Sequence, residues 1–142
     1  MNEYTKMKDR IQKEVNNFPM FFAFNNKQFV EGMEKLGLTP SETDKIYSFS
    51  GTGGYYRKID AKKLHEMFKR HDKELTAALQ DPAFAYDAFN YELGNHEYVI
   101  TYNTSDAINA LGLTVEQVNN STVLNEALEK ACKAQKEYYI NN

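Results

Sequence analysis

The stretch IYSFSGTGGYYRKIDAKKLHEMFKRHDKELTAAL, residues 46–79, decides the fold. Ile46, Tyr47, Ser48, Phe49 and Ser50 alternate large apolar with small polar side chains, the pattern of a half-buried strand. Gly51-Thr52-Gly53-Gly54 follows, and glycine enters positive φ without a Cβ clash, so this run closes a hairpin. Tyr55 to Ile59 supplies the return strand, giving a β-hairpin over 46–59. Asp60 stands where a carboxylate N-caps a helix. Beyond it Leu64, Met67, Phe68, His71, Leu75, Ala78 and Leu79 recur every three or four residues, placing them on one stripe of that helix.

Upstream, Tyr4, Met7, Ile11, Val15 and Phe18 mark an amphipathic helix over 2–17, halted by Pro19. Met20 to Phe24 is an apolar run without alternation, which predicts a strand buried on both faces. Asn25 with Gln28 reads as a capping box, Gly37 as the helix stop, and Thr39-Pro40-Ser41-Glu42 as a fresh start. Downstream, Asp81-Pro82 opens a helix that Gly94 ends. Glu97 to Tyr102, EYVITY, reads as a fourth strand. A short helix from Asn103 or Thr104 runs to Leu111 and Gly112, and Thr114 with Gln117 caps another. The last helix spans 122–139 and frays at its end. Phe24-Asn25, a helix and Leu36-Gly37-Leu38-Thr39 echo Tyr102-Asn103, a helix and Leu111-Gly112-Leu113-Thr114; ordinary stop-and-start signals account for this, with an internal duplication as the alternative. Together these elements predict a single α+β domain over 1–142. A small, largely antiparallel sheet of three to four strands is covered by about six helices, and the two terminal helices pack on a core of residues 20–118.

At 142 residues the chain can bury a core without a metal or disulfide staple. Its one cysteine, Cys132, excludes an intramolecular disulfide and is expected to be a structural thiol. The longest apolar run, around Phe18 to Phe24, is too short to span a bilayer, and the opening MNEYTKMKDR lacks the apolar core of a secretion signal. A cytoplasmic protein is therefore expected, with no membrane partner. Net charge is −3, which disfavours general polyanion binding. Residues 1–83 hold fourteen basic against twelve acidic side chains, residues 84–142 three against eight. The acidic C-terminal part suits a basic partner surface or simple solvation.

No constellation of catalytic or metal-binding type emerges. The glycine run lacks the Gly-Lys-Ser/Thr of a phosphate loop and precedes a strand rather than a helix, so the turn explains it. His65 and His71 are six apart, which puts them on different faces of a helix; His71 is expected to be a core histidine. An acid/base pairing of His71 with His96-Glu97 is the sharper alternative, without a nucleophile to support it. Neither an enzyme nor a cofactor is expected. Ten tyrosines suit a protein interface. The candidate contact residues are Tyr55, Tyr56, Arg57, Lys58, Lys62, Lys69 and Arg70, the basic, tyrosine-rich side of the hairpin and the helix after it.

MFFAFNNKQFVEGMEKLGL, IYSFSGTGGYYRKIDAKKLHEMFKRH and YELGNHEYVITY with DAINALGLT resemble a family of uncharacterised small proteins, over about Phe21 to Leu113. These are encoded by bacteriophages and mobile elements of gut-type Gram-positive bacteria. The resemblance implies no activity and no site residues. It implies a context in which small proteins act by binding a host protein, including components of CRISPR and other defence systems. The function expected is thus protein–protein binding, for instance as an anti-CRISPR inhibitor. The alternative is nucleic-acid binding through the basic, tyrosine-rich hairpin.

Overall fold

The computed structural model describes residues 2–142. Its described residues form α1 (Glu3–Asn16), β1 (Met20–Phe22), α2 (Asn26–Lys35), β2 (Ile46–Phe49), β3 (Gly54–Arg57), α3 (Ala61–Ala78), α4 (Pro82–Asn95), α5 (Tyr98–Thr101), α6 (Ser105–Ala110), α7 (Val115–Asn119) and α8 (Thr122–Asn141). Short 3-10 turns cover Thr43–Lys45 and Lys58–Asp60. The class is α+β, as the pattern predicts, with eight α-helices and three strands among the described residues. None of these helices is long and apolar enough to cross a membrane. Contacts divide the chain into two compact units, Lys13–Lys69, and Met1–Gln12 with Arg70–Asn142.

The unit Lys13–Lys69 is built on an antiparallel sheet of order β1-β3-β2. Side chains alternate across it, so cross-strand partners share a face. On one face Phe21 and Tyr55, which are partners, join Ala23, Met33, Leu36, Phe29, Leu38 and Ile46. Here α2 packs close: a Cβ at Gly32 would lie 2.1 Å from Phe21 Cδ2, so only glycine leaves room for the ring. On the other face Met20, Tyr56 and Phe49 meet Leu64 and Met67 of α3, with Val15 and Phe18. The buried run expected from Met20 holds only in part. Met20, Phe21 and Ala23 are buried, whereas Phe22 and Phe24 are 55% and 77% exposed. The return strand stops at Arg57, two residues early, and Ile59 projects at 80% exposure. Asp60 does precede α3, but its carboxylate accepts from Arg57 Nε at 2.7 Å.

The second unit centres on α4 and α8. Alanines buried on both helices, Ala85 and Ala88 with Ala127 and Ala131, let the backbones approach. Phe84, Phe89 and Leu93 of α4 complete the core with Tyr4 of α1, Leu79, Ile108 and Leu111 of the α6 end, Val118 and Leu124. Gly94 does not end α4; it lies within it, where a Cβ would meet the Gln135 amide at 3.5 Å.

The fourth strand is overturned. EYVITY forms α5, flanked by Glu97 (φ 57) and Tyr102 (φ 54) in the left-handed region. Tyr98 is buried in the α4/α8 core, and that burial overrides the β propensity of Val99, Ile100 and Thr101. The tail expected to fray continues α8 to Asn141.

Both Leu-Gly-Leu-Thr segments adopt the same geometry. Gly37 N–H donates to Glu34 O and Leu38 N–H to Met33 O; Gly112 N–H donates to Asn109 O and Leu113 N–H to Ile108 O. Each glycine has positive φ, so each is a Schellman stop with its apolar contact. Thr114 and Gln117 then close a full capping box, while Thr39 N–H and Oγ1 both donate to Glu42. The echo ends there, since the element before α2 is the strand β1 and the element before α6 is the helix α5.

Candidate functional site

The hairpin tip is fixed by Thr52. Its N–H and Oγ1 both donate to Phe49 O, and Oγ1 accepts from Gly54 N–H. Gly51 and Gly53 take φ of 75° and 76°, which a turn of this length needs. Ala23 N–H donates to Gly53 O at 2.9 Å, tying the tip to the chain just after β1. The glycines also do something the sequence does not disclose. A Cβ on Gly53 would stand 2.6 Å from Phe24 Cε1, and one on Gly54 2.8 Å from both Phe22 Cε1 and Phe49 Cδ2. The exposed rings of Phe22 and Phe24 therefore rest on a glycine floor. Behind Phe24, Gln28 Oε1 accepts from Phe24 N–H at 2.8 Å while Asn25 Oδ1 accepts from Gln28 N–H. The capping pair at the start of α2 thus also fixes the backbone that carries Phe24.

The seven predicted contact residues fare differently. Tyr56 is buried between Tyr47 and Phe49, and Tyr55 stacks on Phe21 at 5.3 Å with Phe29 edge-on. Strand alternation sends one ring to each packed face, so Tyr56 is taken up by the core and Tyr55 is left half-buried. Arg57 is held by Asp60 and donates to Leu36 O. Lys58 Nζ lies 5.1 Å above the Tyr47 ring. Lys62 and Lys69 are exposed on α3. Arg70 is exposed and falls in the other unit.

The second unit contains a centre that sequence reasoning passed over. Glu92, on α4, is fully buried. Its Oε1 accepts from Tyr4 OH at 2.6 Å and Lys8 Nζ at 2.7 Å, both from α1. Oε2 has no hydrogen-bond donor; His96 Nε2 lies 3.5 Å away, so the carboxylate facing His96 is Glu92 rather than its sequence neighbour Glu97. Lys8 Nζ also sits 5.4 Å from the Tyr91 ring centre and 5.9 Å from that of Tyr4. Burial pushes the Glu92 carboxyl up, but hydrogen bonds from Lys8 and Tyr4 and the charges of Lys8 and His96 outweigh it and hold it below its ordinary value. Burial, then the hydrogen bond to Glu92, pushes the Tyr4 phenol up. The only hint in the sequence is a glutamate one residue from Leu93 in a helix with apolar side chains on every side. A cavity of about 450 Å³ beside the centre is lined by Thr5, Lys8, Asp9, Gln12 and Tyr91. Tyr98, near Cys132, is pushed up to about 12 by burial and by its hydrogen bond with that thiol. His71 is buried in α3, as its place on the stripe predicts. Among the described residues no group of three or more His, Cys, Asp or Glu is placed to hold a metal.

Fold and surface define a small α+β protein in which the exposed rings of Phe22 and Phe24 rest against the glycines of a β-hairpin. The chain belongs to a family of unknown function, DUF7659, which matches residues 3–134. No curated protein matches it, and no solved structure does.

Proposed function

We propose that this protein acts by protein–protein binding, with Phe22 and Phe24 at the contact. The observation that carries this is the seating of two exposed rings on Gly53 and Gly54. An exposed phenylalanine gains about 1.5–3 kcal/mol on full burial. A ring that rests on fixed backbone offers its outer face to a partner without rearrangement of the sheet beneath it, which suits an interface hot spot. Of Tyr55 and Tyr56, which a single-strand-binding surface would use for stacking, Tyr56 is buried and Tyr55 is half-buried with its ring against Phe21.

The partner class to try first is a host protein of a bacterial defence system, such as a CRISPR effector. The resemblance to phage and mobile-element proteins supports that choice, and with it a cytoplasmic site of action. The test is affinity capture and a plasmid-interference assay with CRISPR effector complexes, comparing wild type with Phe22→Ser/Phe24→Ser. We expect a stable complex and blocked interference for wild type, and affinity weakened about 100-fold or more in the double variant. Unchanged binding in the double variant overturns the assignment of the surface. Salt-sensitive nucleic-acid binding without a protein partner overturns the function.

A further inference from the structure

We propose that the outer edge of β2 is a docking edge for an extended, acidic segment of a partner protein, added as a further strand of the sheet. This rests on the protein-binding function above, but it uses the opposite edge of the sheet from Phe22.

The ladder fixes which backbone groups are free. Ala23 N–H donates to Gly53 O, so that pair is a hydrogen-bonded one. Antiparallel pairs alternate, so Phe21 with Tyr55 is the next bonded pair, and Tyr55 turns its N–H and C=O toward β1. Gly54 and Tyr56 then turn theirs toward β2, opposite Phe49 and Tyr47, with the Gly54 N–H given to Thr52 Oγ1 at the tip. What remains is the N–H and C=O of Ile46 and Ser48, directed away from the sheet. Tyr47 and Ser48 are exposed, and β2 packs extensively only against β3. On the other edge, Met20 is buried, which closes that end of β1. Edge strands are commonly blunted by proline, charge or a bulge, and Ile46-Tyr47-Ser48-Phe49 carries no proline and no charge.

The surroundings say what kind of strand fits. A cavity of about 250 Å³ near the start of β2 is lined by Leu38, Asp44, Lys45, Arg57, Lys58 and Ile59, and suits an apolar side chain of the incoming segment. Lys45 is paired with Glu42 and Arg57 with Asp60. Lys58 lies over the Tyr47 ring with no carboxylate partner among the described residues, and is the cation available to an acidic side chain. Backbone pairing supplies affinity in such strand addition, and alternate side chains supply selectivity.

The test uses the full chain and a fluorescein-labelled octapeptide alternating glutamate and valine, followed by anisotropy and amide hydrogen exchange. Free protein should exchange the Ile46 and Ser48 amides quickly and those of Tyr47 and Phe49 slowly. Saturating peptide should slow the first two. N-methylation of one alternate set of peptide residues should weaken binding at least about 10-fold while the other set leaves it unchanged, since only one set faces β2. Lys58→Glu should weaken the same peptide. Phe22→Ser/Phe24→Ser should leave peptide binding intact, so this proposal and the preceding one fail separately. No saturable binding, indifference to N-methylation, or loss of binding in the phenylalanine variant each overturns the docking edge. So does protection of Ile46 and Ser48 by self-association in the absence of peptide.

Discussion

Glu92 is held by partners on another helix, and its energetics turn on Lys8. Lys8→Met leaves a fully buried carboxylate with Tyr4 as its one donor. We expect a loss of about 2–4 kcal/mol near neutral pH, measured as a shift in the urea midpoint at constant slope. The pH dependence has a definite sign. In the wild type the Glu92 carboxyl is depressed, so its contribution is present above the ordinary carboxylate range and is lost as pH falls through the depressed value. Without Lys8, burial is opposed only by the Tyr4 hydrogen bond and the charge of His96, so the carboxyl moves up from its wild-type position and the deficit of the variant shrinks as the solution is acidified to about pH 4. Lys8→Met/Glu92→Leu should recover most of the lost stability, because an apolar pair carries no desolvation penalty. A deficit that persists unchanged at acid pH would mean that packing of the lysine stem, rather than charge, holds α1 there.

Among the elements, the hairpin tip and α5 make opposite demands on backbone. Gly53→Ala places a Cβ on Phe24 and a side chain at φ 76°. The ring is exposed and can swing aside, so the expected cost is mainly the backbone strain, about 1–2 kcal/mol. Partner affinity should fall with it as Phe24 loses its seat, and full affinity in the variant would mean that the glycine floor does not position the ring. At Glu97 the strain already exists: an exposed non-glycine residue holds φ 57°. Glu97→Gly should raise stability by about 0.5–1 kcal/mol, readable in the denaturant midpoint. The same two elements mark what the sequence discloses. The hairpin was legible because alternation and a glycine run are local signals. EYVITY was misread because its β-branched residues speak for a strand, while burial of Tyr98, a non-local fact, decides for a helix. Composition marks Tyr55 and Tyr56 as contact residues, and only the packing against the two sheet faces, again a non-local fact, buries Tyr56 and half-buries Tyr55. Phe22 and Phe24 were missed as surface because an apolar run signals burial without saying where it stops.

For the molecule as a whole, the caps at Asn25, Asp81 and Thr114 and the stops at Gly37 and Gly112 are legible in the sequence, since each is a contract among three or four neighbouring residues, whereas the Asp60 carboxylate goes to Arg57 and Gly94 lies inside α4. The Glu92 centre was not legible, because its partners Tyr4 and Lys8 lie more than eighty residues away. The division into two units was equally hidden, because its boundaries fall within continuous helices, between Gln12 and Lys13 in α1 and between Lys69 and Arg70 in α3. This has a practical consequence for anyone dissecting the protein. A gene fragment ending at Lys69 encodes only nine residues of α3, from Ala61, shorter than the roughly 12–15 at which an isolated helix becomes even marginal in water. A nicking protease would find hydrogen-bonded backbone, not a linker, at both crossings. Deletion mapping at these boundaries would therefore report frayed helix ends rather than the division of labour between the units, and point substitutions in the intact chain are the sounder instrument.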